Sequence, residues 1–133
     1  MVKQVHGIGV VCCVITPHTD GAGKFRHNCG ILITDGKIIF SAYKRLLPTY
    51  DVFDEMRYFS SAKEHEPVKF KDNLIGITIC EDIWNIYSVA EKKYIENKKY
   101  DMYPIQILSD TNSDIIINIS ASPFVRGKFE VKK

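Results

Sequence analysis

An Asp-Gly pair between two β-rich runs most constrains the fold of this chain. The runs cover residues 28–34 and 37–43, and Asp35 and Gly36 are the two residues between them. Both turn positions of a tight hairpin need a positive φ, which Asp and Gly adopt more readily than most residues. The sequence therefore predicts an antiparallel β-hairpin over residues 28–43.

Short apolar runs indicate the remaining elements. Strands are predicted over residues 8–15, 67–70, 74–79 and 114–119. The first of these runs is rich in Val and Ile, and the last is rich in Ile, which predicts strands buried on both faces, and the middle two suit a second hairpin. Residues 44–59 predict an ordered loop, residues 89–99 a solvated helical face, and residues 104–110 a helix with Pro104 in its first turn. Hairpins combined with helices indicate an α/β layered protein.

Length and composition narrow the class of protein. The 133 residues suit one domain, with 45% hydrophobic and 26% charged residues, as in ordinary globular proteins. Eighteen Lys and Arg against sixteen Asp and Glu give a net charge of +2, too balanced to indicate a nucleic-acid surface. We expect no nucleic-acid partner, and no membrane span because no apolar run is long enough. The cysteine spacing suits neither a disulfide framework nor a metal site, which favours a reducing compartment, the cytoplasm.

Cys80 follows the predicted strand over residues 74–79 directly. Ligands bind at strand ends in α/β sheets, and a short helix beginning at Glu81 or Asp82 would favour the reactive thiolate. From its position alone, Cys80 is either a reactive thiol or a buried structural cysteine. Lys44 also follows a predicted strand, although a lone lysine usually faces solvent.

Histidine is the usual partner of a reactive thiol, because it can act as a base beside the sulfur. The chain has four histidines, in polar or terminal contexts, and we expect all of them to be exposed. They are His6, His18, His27 and His65.

Three sequence blocks then identify a family. Residues 44–57 read Lys-x-x-Leu-Pro-x-Tyr-x-x-Phe-Asp-Glu-x-Arg, residues 80–84 Cys-Glu-Asp-x-Trp, and residues 120–124 Ser-Ala-Ser-Pro-Phe. Together, in this order and spacing, they resemble the glutamine-hydrolysing domain of the glutamine-dependent NAD synthetases, a branch of the nitrilase (carbon–nitrogen hydrolase) superfamily. The resemblance runs from about residue 10 to residue 128.

The resemblance implies roles for individual residues. Cys80 matches the nucleophile that forms a thioester with glutamine, Lys44 the lysine that stabilises the thiolate and the oxyanion, and Glu55 the glutamate that holds the lysine. The remaining matches line the glutamine pocket or, for the backbone N–H of Glu81, donate to the oxyanion. They are Tyr50, Phe53, Glu81, Ser120 and Ser122.

The resemblance also implies an architecture and partners. The fold would be part of a four-layer α-β-β-α sandwich, with residues 1–133 forming a hydrolase domain truncated at both ends. Glutamine is the expected substrate, no metal is expected in this chain, and ATP and Mg²⁺ would belong to a synthetase domain that this sequence lacks. That domain, or a completing chain, is an expected partner, and the full-length family is expected to form homo-oligomers.

One catalytic residue of the family has no counterpart. Its general-base glutamate lies before the strand that matches residues 8–15, whereas no Glu precedes Glu55 here. We therefore expect negligible glutaminase activity from these 133 residues alone, either as a fragment or as a polypeptide that another chain completes. The alternatives are a non-catalytic, partner-binding remnant of the domain and an independent amidase of the same superfamily.

Overall fold

The computed structural model of this chain describes residues 2–17, 24, 26–50, 52–85, 87–88, 93–94 and 100–121. The strands are β1 (Val10–Pro17), β2 (Arg26–Thr34), β3 (Lys37–Tyr43), β4 (Val68–Phe70), β5 (Asn73–Ile79), β6 (Tyr87–Ser88), β7 (Lys93–Tyr94) and β8 (Ile115–Ile119). One α-helix, α1, covers Pro104–Asp110, and short 3₁₀ helices cover Val2–Gln4, Glu55–Arg57 and Cys80–Ile83.

The first sheet has the strand order β1-β2-β3, and both pairs are antiparallel. The predicted Asp-Gly hairpin is confirmed: Thr34 pairs with Lys37, and Asp35 and Gly36 have φ values of 45° and 75°. Lys44 is the first residue after β3. The predicted ordered loop follows it, with one turn of 3₁₀ helix at Glu55–Arg57.

The second sheet has the strand order β4-β5-β8, with an antiparallel pair and a parallel pair. The predicted hairpin of β4 and β5 is confirmed, and α1 connects toward β8 with Leu108 fully buried against β5. In the parallel pair, Ile79 lies opposite Ile119. The residues that follow, Cys80 and Ser120, therefore leave the sheet at the same edge.

The main core lies between the two sheets. Its buried members come from both sheets: Leu32, Ala42, Ile75 and Ile77, with Val11 and Phe40 packed against them. At Gly30 the two sheets approach each other closely, because a Cβ there would lie 2.9 Å from Cγ2 of Ile77. A larger residue would fit only if neighbouring atoms shifted.

A second apolar cluster covers the opposite face of the first sheet. It contains Val5, Cys29, Ile31 and Ile33, and the alternate β1 residues Val10, Cys12 and Val14 pack against it. Because side chains alternate along a strand, Val11 and Cys13 project from the other face of β1, toward the second sheet.

Three sequence-based expectations about these elements are wrong. Residues 8–15 and 114–119 do not form strands buried on both faces, since Ile15 is 63% and Ile115 46% exposed. Ile15 belongs to β1 and Ile115 to β8, and each of these strands lies at the edge of its sheet. Helix was predicted over residues 89–99, yet Lys93–Tyr94 pairs antiparallel with Tyr87–Ser88; the rest of that stretch lies outside the described residues.

Within the described residues, the mixed sheets and helix α1 are compatible with the predicted α/β class, whereas the four-layer sandwich stays a prediction. Among the residues that the structure describes, no helix is both long and apolar enough to cross a membrane.

Candidate active site

A buried lysine–glutamate pair lies beside the end of β3. The Nζ of Lys44 donates to both carboxylate oxygens of Glu55, at 2.6 and 2.7 Å. The lysine side chain is only 1% exposed and that of Glu55 19%. An ammonium group is stable at such burial only when a charged partner and hydrogen bonds replace its water shell. The sequence-predicted pair of Lys44 and Glu55 is therefore brought together.

Backbone hydrogen bonds fix both partners of this pair. The N–H of Lys44 donates to the carbonyl oxygen of Asn28, and its own carbonyl accepts from the N–H of Ala62. The N–H of Glu55 donates to the carbonyl oxygen of Pro48 at 2.9 Å, which closes the intervening loop. Lys44 thus has little freedom to leave its position at the strand end.

Cys80 lies where β5 turns into the 3₁₀ helix Cys80–Ile83. Its φ is +47°, a left-handed conformation that non-glycine residues rarely adopt. Its Sγ lies 3.9 Å from the carbonyl oxygen of Ala121, and its own carbonyl accepts from Nδ2 of Asn118. Such backbone strain is concentrated at functional sites, where surrounding contacts hold it in place.

The carboxylate of Asp82 joins the two strand ends. Its Oδ1 accepts from the backbone N–H groups of Arg45 and Leu46, and its Oδ2 accepts from that of Ile79. Asp82 is fully buried, and this burial raises its pKa to about 6, against the effect of the three hydrogen bonds and the charge of Lys44. Asp82 therefore ties the segment after Lys44 to the residue before Cys80.

Glu81 is a second buried carboxylate next to Cys80. Its Oε2 accepts a hydrogen bond from the hydroxyl of Tyr50 at 2.6 Å and its Oε1 accepts one from the hydroxyl of Tyr100 at 3.3 Å. Burial and the charge of Glu81 raise the pKa of Tyr100 well above its ordinary range, so it stays a hydrogen-bond donor. Tyr100 was not predicted as a site residue, because no motif surrounds it.

The other predicted pocket residues lie close to these groups or outside the described part. Phe53 packs edge-on against Tyr50, with ring centroids 6.0 Å apart. Ser120 is exposed and directly follows β8 at the sheet edge where Cys80 follows β5. Ser122 lies outside the described residues.

The histidine expectation is wrong at two positions. His27 and His65 are 8% and 7% exposed, although surface positions were predicted for both. His27 stacks on Tyr43 and its Nδ1 lies 2.9 Å from the carbonyl oxygen of Ser60. Burial, together with the charge of Arg45, lowers the pKa of His65 to about 4. His6 is exposed, as expected, and His18 lies outside the described residues.

A protein metal site needs several acidic, thiol or imidazole groups close together. Within the described part of the chain, no three His, Cys, Asp or Glu side chains lie close enough together to hold a metal ion.

Comparison with known proteins identifies the family. No protein-family model matches the chain. Glutamine-dependent NAD(+) synthetase from Synechocystis sp. is 37% identical over 98% of this chain and 23% of its own length. The structure of glutamine-dependent NAD(+) synthetase from Acinetobacter baumannii, in complex with ADP, matches with a TM-score of 0.76 and 27% identity, over 98% of this chain and 21% of that one.

A smaller protein shares the fold. Carbon–nitrogen hydrolase from Helicobacter pylori matches 94% of this chain and 37% of its own, with a TM-score of 0.67 and 20% identity. The chain spans about a fifth of the length of the NAD(+) synthetases that it matches. It belongs to the glutamine-dependent NAD(+) synthetase family, in a region that has the carbon–nitrogen hydrolase fold.

Proposed function

We propose that this chain carries a glutamine-hydrolysing centre that releases ammonia for NAD synthesis, with Cys80 as its nucleophile. The observation that carries the proposal is the buried Lys44 ammonium, held by Glu55 and tied through Asp82 to the strand end that bears Cys80. Membership of the NAD(+) synthetase family supports glutamine as the substrate.

In the proposed reaction, the Cys80 thiolate attacks the side-chain amide carbon of glutamine. Negative charge develops on the carbonyl oxygen, and the Lys44 ammonium and the backbone N–H of Glu81 stabilise it there. The C–N bond then breaks as the nitrogen takes up the proton that the thiol gave up, ammonia leaves, and a thioester remains on Cys80. Attack of water on the thioester releases glutamate and restores the thiol.

Glu55 acts in this scheme as a positioning residue. Both of its carboxylate oxygens accept hydrogen bonds from the same ammonium group, so Glu55 orients Lys44. No glutamate precedes Glu55 in these 133 residues, and we assign no residue of this chain as the base that activates water.

Four side chains and one backbone segment would form the substrate pocket. The exposed faces of Tyr50 and Ser120 border the edge at which Cys80 leaves the sheet, and Phe53 packs against Tyr50. The family motif supplies Ser122 as a further member. Glu81, anchored by two tyrosine hydroxyls, keeps the backbone after Cys80 in place for its oxyanion contact.

The released ammonia would be used by a synthetase domain with ATP and Mg²⁺, in the homo-oligomeric, cytoplasmic protein that we expect for this family. We assign no part of the binding of ATP or Mg²⁺ to this chain. This chain spans about a fifth of the length of the NAD(+) synthetases that it matches, which is consistent with a separate synthetase domain in those proteins.

Covalent labelling tests the proposal without requiring turnover. A γ-diazoketone analogue of glutamine should modify one residue, Cys80, as located by peptide mass spectrometry. Glutamine should slow this labelling and asparagine, shorter by one methylene, should not. Lys44→Met should slow it at least about tenfold, whereas Lys69→Met, at an exposed lysine of β4, should leave it unchanged.

Other labelling results would contradict the proposal or favour an alternative. Equal labelling of Cys80 and the other cysteines, or no protection by glutamine, would contradict a glutamine site. Protection by a short aliphatic amide in place of glutamine would favour the amidase alternative.

A further inference from the structure

Cys13 is a second thiol that faces the candidate active site. It follows Cys12 directly, yet the two side chains project from opposite faces of β1. Cys12 packs into the apolar cluster on the outer face of the first sheet, with Val5 and Ile31. Because side chains alternate along a strand, Cys13 shares a face with Val11, which packs into the core between the sheets.

The strand register places Cys13 next to the point where the second sheet packs closely on Gly30. Cys13 lies directly opposite Gly30, and Gly30 lies opposite Ala42. A Cβ on Gly30 would be 2.9 Å from Ile77 and 3.8 Å from Ile79, the residue before Cys80. The missing side chain at Gly30 therefore lets the second sheet approach where Cys13 projects.

Lys44 reaches the same region from the other side. Lys44 lies two residues after Ala42, and its N–H donates to the carbonyl oxygen of Asn28 on β2. Asn28 in turn pairs with Ile15 on β1. Cys13, Gly30 and Ala42 form one row of paired residues across the sheet. Lys44 belongs to the next row on the same face, two residues further along the chain.

Electrostatic interactions agree with this placement. Partial burial and the neighbouring Cys12 raise the pKa of the Cys13 thiol, Lys44 opposes this shift, and Cys80 and Glu55 add to it. The Cys13 thiol thus interacts with all three proposed active-site groups. It is also exposed, so a dissolved reagent can reach it.

We propose that Cys13 is a resolving thiol for Cys80, so that a peroxide reversibly closes a disulfide across the active site. This inference rests on the proposed reactivity of Cys80. In the first step the Cys80 sulfur attacks a peroxide oxygen, the O–O bond breaks, and sulfenic acid and hydroxide form. In the second, the Cys13 sulfur attacks Cys80, the S–O bond breaks, and the leaving hydroxide takes up the thiol proton as water.

The disulfide would block the nucleophile and protect it from irreversible oxidation. A dithiol reductant would restore both thiols. Burial raises the pKa of the Cys13 thiol, so this thiol stays mostly protonated at neutral pH and is a poor first target for peroxide.

Peroxide treatment of the dilute, reduced chain tests this directly. We expect the intact monomer to lose two hydrogens, and peptide mapping to find a link between the peptides of Cys13 and Cys80. Cys13→Ser should abolish the link, and a cyclic dione should then trap sulfenic acid on Cys80. Cys12→Ser is the matched control, because Cys12 faces the opposite cluster, and it should leave the link intact.

Two failures are distinguishable. If the dione traps Cys80 equally in the wild type and in Cys13→Ser and no link forms, the resolving role is wrong while Cys80 remains reactive. If Cys80 reacts with neither peroxide nor the glutamine analogue, the proposed function fails, and this inference with it. Links that involve Cys12, or that join two chains only, would also overturn it.

Discussion

The backbone N–H of Leu46 lies 2.8 Å from Oδ1 of Asp82, across 36 residues of sequence. The other carboxylate oxygen of Asp82 accepts from Ile79, so one buried side chain spans the two segments that carry Lys44 and Cys80. This carboxylate therefore contributes directly to the relative position of the proposed catalytic lysine and cysteine.

Removal of this carboxylate should therefore affect stability and reactivity together. Asp82→Ala leaves three backbone N–H groups, two of them buried and one partly buried, without this acceptor, and we expect the free energy of unfolding to fall by about 3 kcal/mol. Alkylation of Cys80 should slow as well. Denaturant titration and timed alkylation measure the two effects, and Asp72→Ala, at an exposed turn residue, is the control. Equal behaviour of the two variants would contradict the bridging role of Asp82.

Variants of the Lys44–Glu55 pair should change the stability of the chain and the reactivity of Cys80 independently. Glu55→Leu alone leaves a buried ammonium without a partner, which should cost about 3–5 kcal/mol of unfolding free energy. In the double variant Lys44→Met with Glu55→Leu, apolar groups replace both charges, and stability should return to within about 1 kcal/mol of the wild type. Alkylation of Cys80 should stay slow in both variants. A double variant with wild-type Cys80 reactivity would show that the pair is only structural.

Two buried titratable groups predict opposite dependences of stability on pH. In the folded chain the pKa of His65 is lowered to about 4. The unfolded chain binds a proton at His65 at higher pH than the folded chain does, so acid favours unfolding. This contribution to stability is lost as the pH falls from about 6.5 to about 4, and it amounts to about 3 kcal/mol. The pKa of Asp82 is raised to about 6, so its protonation favours the folded chain between about pH 6 and pH 4.

These contributions largely offset each other in the wild type between pH 6 and pH 4. His65→Gln should remove the loss of stability that acid causes at His65. Relative to the wild type, the free energy of unfolding of this variant should therefore rise by about 2–3 kcal/mol as the pH falls from about 6 to about 4. Asp82→Asn should show the reverse trend. Denaturant titrations at several pH values check both, and a constant offset between His65→Gln and the wild type would contradict the assignment to His65.

Close approach of the sheets at Gly30 predicts an unusual response to alanine. Gly→Ala in a strand usually stabilises slightly, because it restricts the unfolded chain. At Gly30 the new Cβ would lie 2.9 Å from Ile77 and 3.2 Å from Ile119, so overpacking should dominate and cost about 1–3 kcal/mol. A neutral or stabilising Gly30→Ala variant would show that the sheets are farther apart than described here.

Local signals in the sequence predicted much of the fold. The hairpin at Asp35-Gly36, the helix Pro104–Asp110 and the strand before Cys80 each follow from residues within a few positions of one another. The same holds for the position of Lys44 at a strand end, since β3 ends at Tyr43. The family motifs then added Glu55, whose contact with Lys44 spans only eleven residues.

Long-range packing could not be read from the same patterns. The burial of His65 depends on tertiary contacts that no local motif encodes, and the exposure of Ile15 depends on β1 lying at a sheet edge. Likewise, the bridging role of Asp82 involves hydrogen bonds to residues 36 and 37 positions away. The contribution of Tyr100 to the Glu81 network had no sequence signal at all.

The central claim is that the buried Lys44 ammonium makes Cys80 the reactive thiol of this chain. Its most direct test is the rate at which iodoacetamide alkylates each cysteine at neutral pH, followed by peptide mass spectrometry. We predict that Cys80 reacts fastest in the wild type and in Lys69→Met, and at least about tenfold more slowly in Lys44→Met. A Cys80 rate that does not change in Lys44→Met, or that never exceeds the rate of Cys13, would contradict the account.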